Sequence, residues 1–191
     1  HAQRHVFHDA ADGWQGAAPL HEYNVGATSG SYWAGAKDAA GIPDAMMADG
    51  TPNGHAVLDV KPGGQYALAW HNARDAADTQ IGLHAPKALR HGAYPAWGVF
   101  ANVYMGMDDT RVEFRVDGGD WKPMKKVLQP DPALLAENAI DDASEVRRGH
   151  ARSPEAEAST HLWRGALPPK LDDGEHVVEV EARNADGVWL D

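Results

Sequence analysis

The chain has 191 residues, of which 43% are hydrophobic and 24% charged, the balance of an ordinary globular protein rather than a disordered one. Its formal net charge of −11 argues against nucleic-acid binding. The absence of cysteine excludes disulfides, thiolate catalysis and cysteine-ligated metals. No apolar run approaches the roughly 18 residues that a membrane-spanning helix requires, so we expect no membrane span.

Both ends of the chain lie in predicted strands, around Val6 and Phe7 at the start and over Val188–Asp191 at the end. This pattern is typical of a polypeptide cut from a longer protein, and we expect that here. The lack of a visible signal peptide therefore carries no information about location.

Residues 9–55 are rich in Gly, Ala, Asp, Asn and Pro and show neither helical nor alternating periodicity, so we expect long, ordered loops there. Alternation of apolar and polar residues elsewhere predicts short strands. The predicted strands are Gln3–His8, Ala56–Val60, Gln65–Trp70, Gly98–Met105, Thr110–Val116, Trp121–Leu128, Thr160–Arg164, Glu175–Arg183 and Val188–Asp191.

The clearest strand is Thr110–Val116, whose valines and phenylalanine share one face while its charged residues share the other. The glycine-rich turn Asp117–Asp120 follows, and Trp121–Leu128 is predicted to return as the hairpin partner. Helical spacing after a proline predicts one inserted helix over Pro132–Val146. Many short strands with frequent turns favour a mainly β, antiparallel sandwich.

No local pattern predicts a self-contained catalytic or metal site. His1 and His5 would share one face of the first strand and His8 would point away, so the three do not converge locally on a metal. Ser29 lacks the glycine two residues before it that a nucleophile elbow requires, and no phosphate-binding glycine loop occurs. The paired aspartates lie at predicted turns or on the polar side of the helix, where backbone capping is a simpler interpretation than glycosidase chemistry.

Seven tryptophans outnumber three phenylalanines. Trp70, Trp121 and Trp163 are expected in the core, where an indole N–H usually finds a partner. Trp33 lies in a predicted loop, and the sequence is compatible with either a packing role or a contact role for its side chain. Exposed aromatic rings beside Asp, Asn and His are the groups that stack on sugars, so carbohydrate binding is an alternative to consider.

The segment Asp49–His55 reads Asp-Gly-Thr-Pro-Asn-Gly-His and leads into the predicted strand Ala56–Val60. Its Asp, Thr and Asn side chains can each hydrogen-bond nearby backbone, and its two glycines permit tight turning. We therefore expect a rigid double turn. A structural role is sufficient to explain it, and a ligand or interface role is the alternative.

Several distinctive sequence blocks follow one another between about residue 20 and about residue 180. They are Ser29–Gly35, Gly41–Asp44, Asp49–Gly54, Val112–Trp121, Pro123–Met124, Gln129–Pro132, His161–Arg164, Leu167–Pro168 and Gly174–His176. Each block alone is weak. Together they cover nearly the whole chain and resemble the C-terminal domain of bacterial calcineurin-like metallophosphoesterases.

The resemblance implies an immunoglobulin- or fibronectin-like β-sandwich that follows a catalytic domain. It divides the chain into residues 1–19, the end of that domain or a linker strand, and residues 20–191, the accessory sandwich. The parent would be a phosphoesterase with two divalent metal ions. The family's motifs D-x-H, G-D-x-x-D and G-N-H-[DE] do not occur here. His1 takes the place of the last histidine of the family's G-H-x-H motif, a metal ligand only together with an upstream domain.

We therefore predict a non-catalytic accessory domain, without a cofactor of its own, that packs on the upstream catalytic domain and shapes its substrate cleft. The candidate interface or ligand-contact residues lie in the ordered, aromatic, glycine-rich stretch: Tyr32, Trp33, Asp49, Asn53 and His55. A carbohydrate- or envelope-binding module is the alternative, and a stand-alone metal-dependent hydrolase is a third hypothesis. The resemblance also suggests a periplasmic or extracellular location.

Overall fold

The computed structural model describes residues 1–76 and 78–184, together with the backbone of Trp189 and Leu190. Strands dominate this part of the chain. In order, the elements are β1 (Arg4–His8), a 3₁₀ turn (Ala10–Asp12), β2 (Leu20–Asn24), β3 (Gly54–Val60), a second 3₁₀ turn (Pro62–Gly64), β4 (Tyr66–Asn72), β5 (Ile81–His84), β6 (Gly98–Val103), β7 (Arg111–Val116), β8 (Lys122–Pro123), β9 (Lys125–Pro130), α1 (Pro132–Ala143), β10 (Ala158–Ala166), β11 (Val178–Arg183) and β12 (Trp189–Leu190).

The N-terminal third forms two separate antiparallel hairpins, β1 with β2 and β3 with β4. The sequence predicted β1, β3 and β4 but assigned β2 to the loops. Its half-buried face consists of His21 and Tyr23 rather than aliphatic residues, so the alternation carried no hydrophobic signal. The predicted boundary between residues 19 and 20 lies in the connection between these two paired strands.

The main hydrophobic core is shared by two four-stranded antiparallel sheets, with the strand orders β5-β6-β10-β9 and β12-β11-β7-β8. Both sheets bury side chains in it: Val99, Ala101, Val103, Val112, Phe114, Met124, Trp163, Leu167 and Ala182. The mainly β, antiparallel fold with one inserted helix is confirmed. The immunoglobulin- or fibronectin-like form of the sandwich stays a prediction.

One predicted hairpin is only partly correct. The strand that follows the turn pairs with β7 over two residue pairs, and β11 pairs with β7 over the whole of that strand. The Met124 N–H still donates to the Val112 carbonyl at 2.8 Å, but from Lys125 onward the chain joins β10 in the other sheet. The change of sheet places the Met124 side chain in the core, which a pattern read along one strand could not show.

The helix begins as predicted and ends three residues early, at Ala143. The Asp131 carboxylate caps it by accepting from the N–H groups of Ala133 (2.7 Å) and Leu134 (3.1 Å). The helix ends because Ser144 adopts an extended conformation. No helix in the described residues is long and apolar enough to cross a membrane.

Outside the first 3₁₀ turn, β2 and the first two residues of β3, residues 9–55 are irregular, as predicted, but part of this stretch packs into the core. Met47 is fully buried and packs with Trp70 and Tyr104 in a second, smaller core cluster. Trp70 and Trp163 are buried as expected, whereas Trp121 is half-buried beneath the Arg115 guanidinium, 4.5 Å from the ring centre.

Candidate functional site

Asp49 is the most constrained of the predicted site residues, with 1% of its surface exposed. One carboxylate oxygen accepts the Thr51 N–H at 2.9 Å, as expected for a turn-forming aspartate. The other accepts the Gln3 N–H at 2.6 Å and the Nε2–H of His161 at 2.9 Å. The side chain therefore binds within the domain, and its carboxylate does not reach the surface.

A second layer of buried polar groups surrounds this carboxylate. The Asn102 amide on β6 donates both to the Asp49 carbonyl and to the Asp131 carboxylate, each at 2.9 Å. Asp131 in turn caps α1. Together these bonds join the N-terminal segment, the 47–53 turn, β6, α1 and β10; we call Gln3, Asp49, Asn102, Asp131 and His161 the buried polar hub.

The pKa of Asp49 reflects two opposed effects. Burial alone raises it, because a carboxylate loses its hydration inside a protein. The hydrogen bond and charge of His161, with the backbone donors of Thr51 and Gln3, outweigh burial and lower the pKa below its ordinary value. Asp49 is therefore ionised in the folded protein at neutral pH.

The hub fixes the first residues of the domain. The Gln3 side-chain oxygen accepts the Met105 N–H at 2.9 Å, and Gln3 itself is buried. The Ala48 N–H donates to the His1 carbonyl at 3.0 Å. Residue 1 is consequently held at a defined position beside the 47–53 turn.

Tyr32 and Trp33 lie on the surface next to this position. Their side chains are 70% and 53% exposed, and the His1 ring meets the Tyr32 ring edge-on with 6.0 Å between centres. Backbone bonds hold the loop that carries them, including Ser31 N–H to the Met46 carbonyl at 2.8 Å. Two aromatic side chains are thus presented to solvent from an ordered loop.

Trp33 and Asn53 line one cleft of about 550 Å³ together with Lys37, Ile42, Asp44 and Arg74; we call it the Trp33 cleft. Asn53 is buried, and its amide donates to the Thr28 carbonyl at 3.2 Å. Arg74 pairs with Asp44 at the wall of the cleft. The structure therefore brings two of the five predicted contact residues to one concave surface.

His55 lies outside that cleft, exposed on β3, where its ring stacks on His71 with 5.2 Å between centres. It lines a neighbouring apolar groove between the two hairpins. The five candidate residues thus divide into a buried anchor (Asp49), an exposed aromatic pair, a buried amide in the cleft wall and a histidine of the groove. Their predicted role in contacts stays a prediction.

The family resemblance implies a pair of metal ions in the parent's catalytic domain, and the described residues of this chain form no ligand set for them. Among residues 1–76 and 78–184, no three His, Asp or Glu side chains converge as ligands. His1 is exposed and contacts Tyr32. A role for His1 as a metal ligand together with an upstream domain stays a prediction.

Four of the five hub residues were not predicted from the sequence. Only Asp131 carried a local signal, since an aspartate before a proline and a helical pattern is a typical N-cap. Gln3, Asn102 and His161 lie within strand-like or apolar stretches where a buried polar side chain has no local signature. Their role arises from partners 29 to 112 residues away.

A family model described as the C terminal of calcineurin-like phosphoesterase matches residues 22–188. Because this match spans most of the chain, the chain belongs to that family, and the resemblance of the sequence blocks is confirmed. In this family the domain lies C-terminal to a catalytic domain, which the family name identifies as a phosphoesterase. A search of curated proteins and a search of solved structures each found no match.

Proposed function

We propose that this chain is a non-catalytic accessory domain that packs against the catalytic domain of its parent phosphoesterase and shapes the substrate cleft. The observation that carries the proposal is the exposed pair Tyr32 and Trp33, held on an ordered loop in contact with residue 1. In the family a catalytic domain precedes this one, and the aromatic pair lies beside the N-terminal residues of this chain. Exposed aromatic side chains are enriched at protein interfaces because they bury a large area at low entropic cost.

The distribution of exposed apolar side chains also favours an interface formed by the N-terminal part of the chain. In the described part of the chain, ten of the nineteen large hydrophobic side chains that are exposed lie within the first 66 residues. A concentration of exposed apolar side chains on a protein surface is typical of an interaction site. The hub supports the proposal too, because it holds Gln3, near the N-terminal side of the domain, at a fixed position.

The parent would use two divalent metal ions in its catalytic domain, at a periplasmic or extracellular location. This chain would supply no ligand set of its own, and its contribution to the reaction would be the shape and rigidity of one wall of the cleft.

The test is Trp33→Ala in the full-length phosphoesterase. Trp97→Ala is the matched control, because Trp97 is 48% exposed in the loop before β6. We expect Trp33→Ala to lower kcat/KM on a chromogenic phosphate ester by about three- to tenfold, or about 1 kcal/mol, and Trp97→Ala to leave it unchanged. Unchanged kinetics and unchanged thermal stability for Trp33→Ala would contradict the proposal.

A carbohydrate-binding module is the second candidate, and the Trp33 cleft favours it. The indole lies in a concave surface with carboxylate and amide groups from Asp44 and Asn53, the combination that stacks on and hydrogen-bonds to a sugar ring. Retardation of the chain in gels containing a soluble polysaccharide, abolished by Trp33→Ala, would support this function. No retardation across a broad polysaccharide panel would remove it.

A further inference from the structure

An apolar groove of about 1000 Å³ separates the two N-terminal hairpins. One wall is a single face of β3–β4, on which Leu58 lies opposite Leu68 and Val60 lies opposite Tyr66. The other wall comes from β2 and the residues that flank it, including Trp14 and Leu20. We call this feature the hairpin groove.

The hairpin groove differs from the rest of the surface in charge. Its lining residues lie between Trp14 and Leu68, and none of them is Asp, Glu, Lys or Arg. The whole chain, in contrast, carries a net charge of −11. Leu58 is 58% exposed at its edge. Such a surface gains free energy when another apolar surface removes it from water.

The hairpin groove lies beside the Trp33 cleft described above. Asn53 lines the Trp33 cleft, and its amide donates to the carbonyl of Thr28, which lines the hairpin groove. The cleft and the groove are therefore neighbouring features of the domain.

The catalytic domain is the occupant that these observations favour. It is covalently tethered in the family, so its effective concentration is on the order of millimolar, far above that of a separate partner. A second copy of the chain lacks this advantage.

We infer that the hairpin groove is the socket for an uncharged ridge of aliphatic or aromatic side chains on the preceding catalytic domain. This inference rests on the proposed function and names the surface that performs it. The β3–β4 hairpin has only two strands, and one apolar face of it is exposed. Packing of this face against the catalytic domain would stabilise the hairpin, because an isolated two-stranded hairpin is only marginally stable in water.

The test compares Leu58→Asp with Val57→Asp in the full-length phosphoesterase. The two residues are neighbours in β3 and are both exposed, but Val57 pairs with Ala69 on the opposite face of the hairpin. Amide hydrogen exchange is measured by mass spectrometry over the whole protein. We expect Leu58→Asp to speed exchange at least tenfold in a segment of the catalytic domain as well as in the groove, and Val57→Asp to leave the catalytic domain unchanged.

Other outcomes separate the two proposals. If Trp33→Ala speeds exchange in the catalytic domain and Leu58→Asp does not, docking at the groove is overturned while the proposed function stands. If neither variant changes exchange in the catalytic domain, both fail. A concentration-dependent dimer in sedimentation velocity that Leu58→Asp abolishes would assign the groove to a second copy and overturn the inference.

Discussion

Asp49→Asn tests whether the buried polar hub holds the domain together. The substitution keeps the size of the side chain and removes its charge. One oxygen can still accept the Thr51 N–H, but an NH₂ group then faces the Gln3 N–H and the Nε2–H of His161, which the carboxylate accepted at 2.6 and 2.9 Å. Donors then face donors in a site closed to water.

The magnitude follows from those two contacts. A buried donor left without an acceptor costs about 1–3 kcal/mol. His161 can relieve part of the conflict by moving its proton to Nδ1, but that atom has no hydrogen-bond partner and is itself buried. We therefore expect the free energy of unfolding to fall by about 3–4 kcal/mol, which lowers the Tm of a chain of this length by about 10 °C.

The assay is urea denaturation followed by tryptophan fluorescence, which seven tryptophans make sensitive. Asp59→Asn is the matched control, because Asp59 is exposed on β3 and its substitution should change the free energy by less than about 0.5 kcal/mol. A loss below about 1 kcal/mol for Asp49→Asn would refute the claim that this carboxylate anchors the first residues of the domain.

Three further predictions concern stability. Gly50 has φ +83°, and an added Cβ would lie 2.5 Å from the Cβ of Asp131, so Gly50→Ala should cost about 3 kcal/mol in urea denaturation; a loss under about 1 kcal/mol would count against this close approach. Burial, with the charges of His21, His161 and Lys126, lowers the pKa of His5 to about 4. The unfolded chain then binds a proton that the folded chain does not, so stability should decline from pH 6.5 to 4 by about 1–2 kcal/mol after allowance for solvent screening, and His5→Gln should reduce that decline; an equal decline in the variant would show that His5 is not the cause. Phe114 is almost fully buried against Gly165, and Phe114→Ala should cost about 3–5 kcal/mol in the same assay, a value near zero being incompatible with its place in the core.

Local patterns in the sequence predicted elements whose cause is local. Alternation in Arg111–Val116 reports directly which side chains meet the core, and both Val112 and Phe114 are buried there. Pro132 at the first helical position marks the start of α1. The order of the sequence blocks sufficed to recognise the family, because the blocks are spread over nearly the whole chain.

Local patterns could not predict which strands share a sheet. Lys125–Pro130 leaves its hairpin neighbour and pairs with β10, since that route buries Met124 between the sheets. The free energy of that burial depends on residues far away in the chain, and no window of sequence contains it.

The same distinction between local and long-range causes applies to the candidate site. The sequence by itself determined that a tight turn around Asp49 precedes β3 and that aromatic residues lie in an ordered loop before this turn. The strand begins at Gly54, two residues earlier than predicted. Only the tertiary structure decided that Asp49 is buried while Tyr32 and Trp33 are exposed. A turn needs only neighbouring residues to satisfy its backbone, whereas the burial of a carboxylate needs distant donors, here on Gln3 and His161, and these meet only when the whole chain has packed.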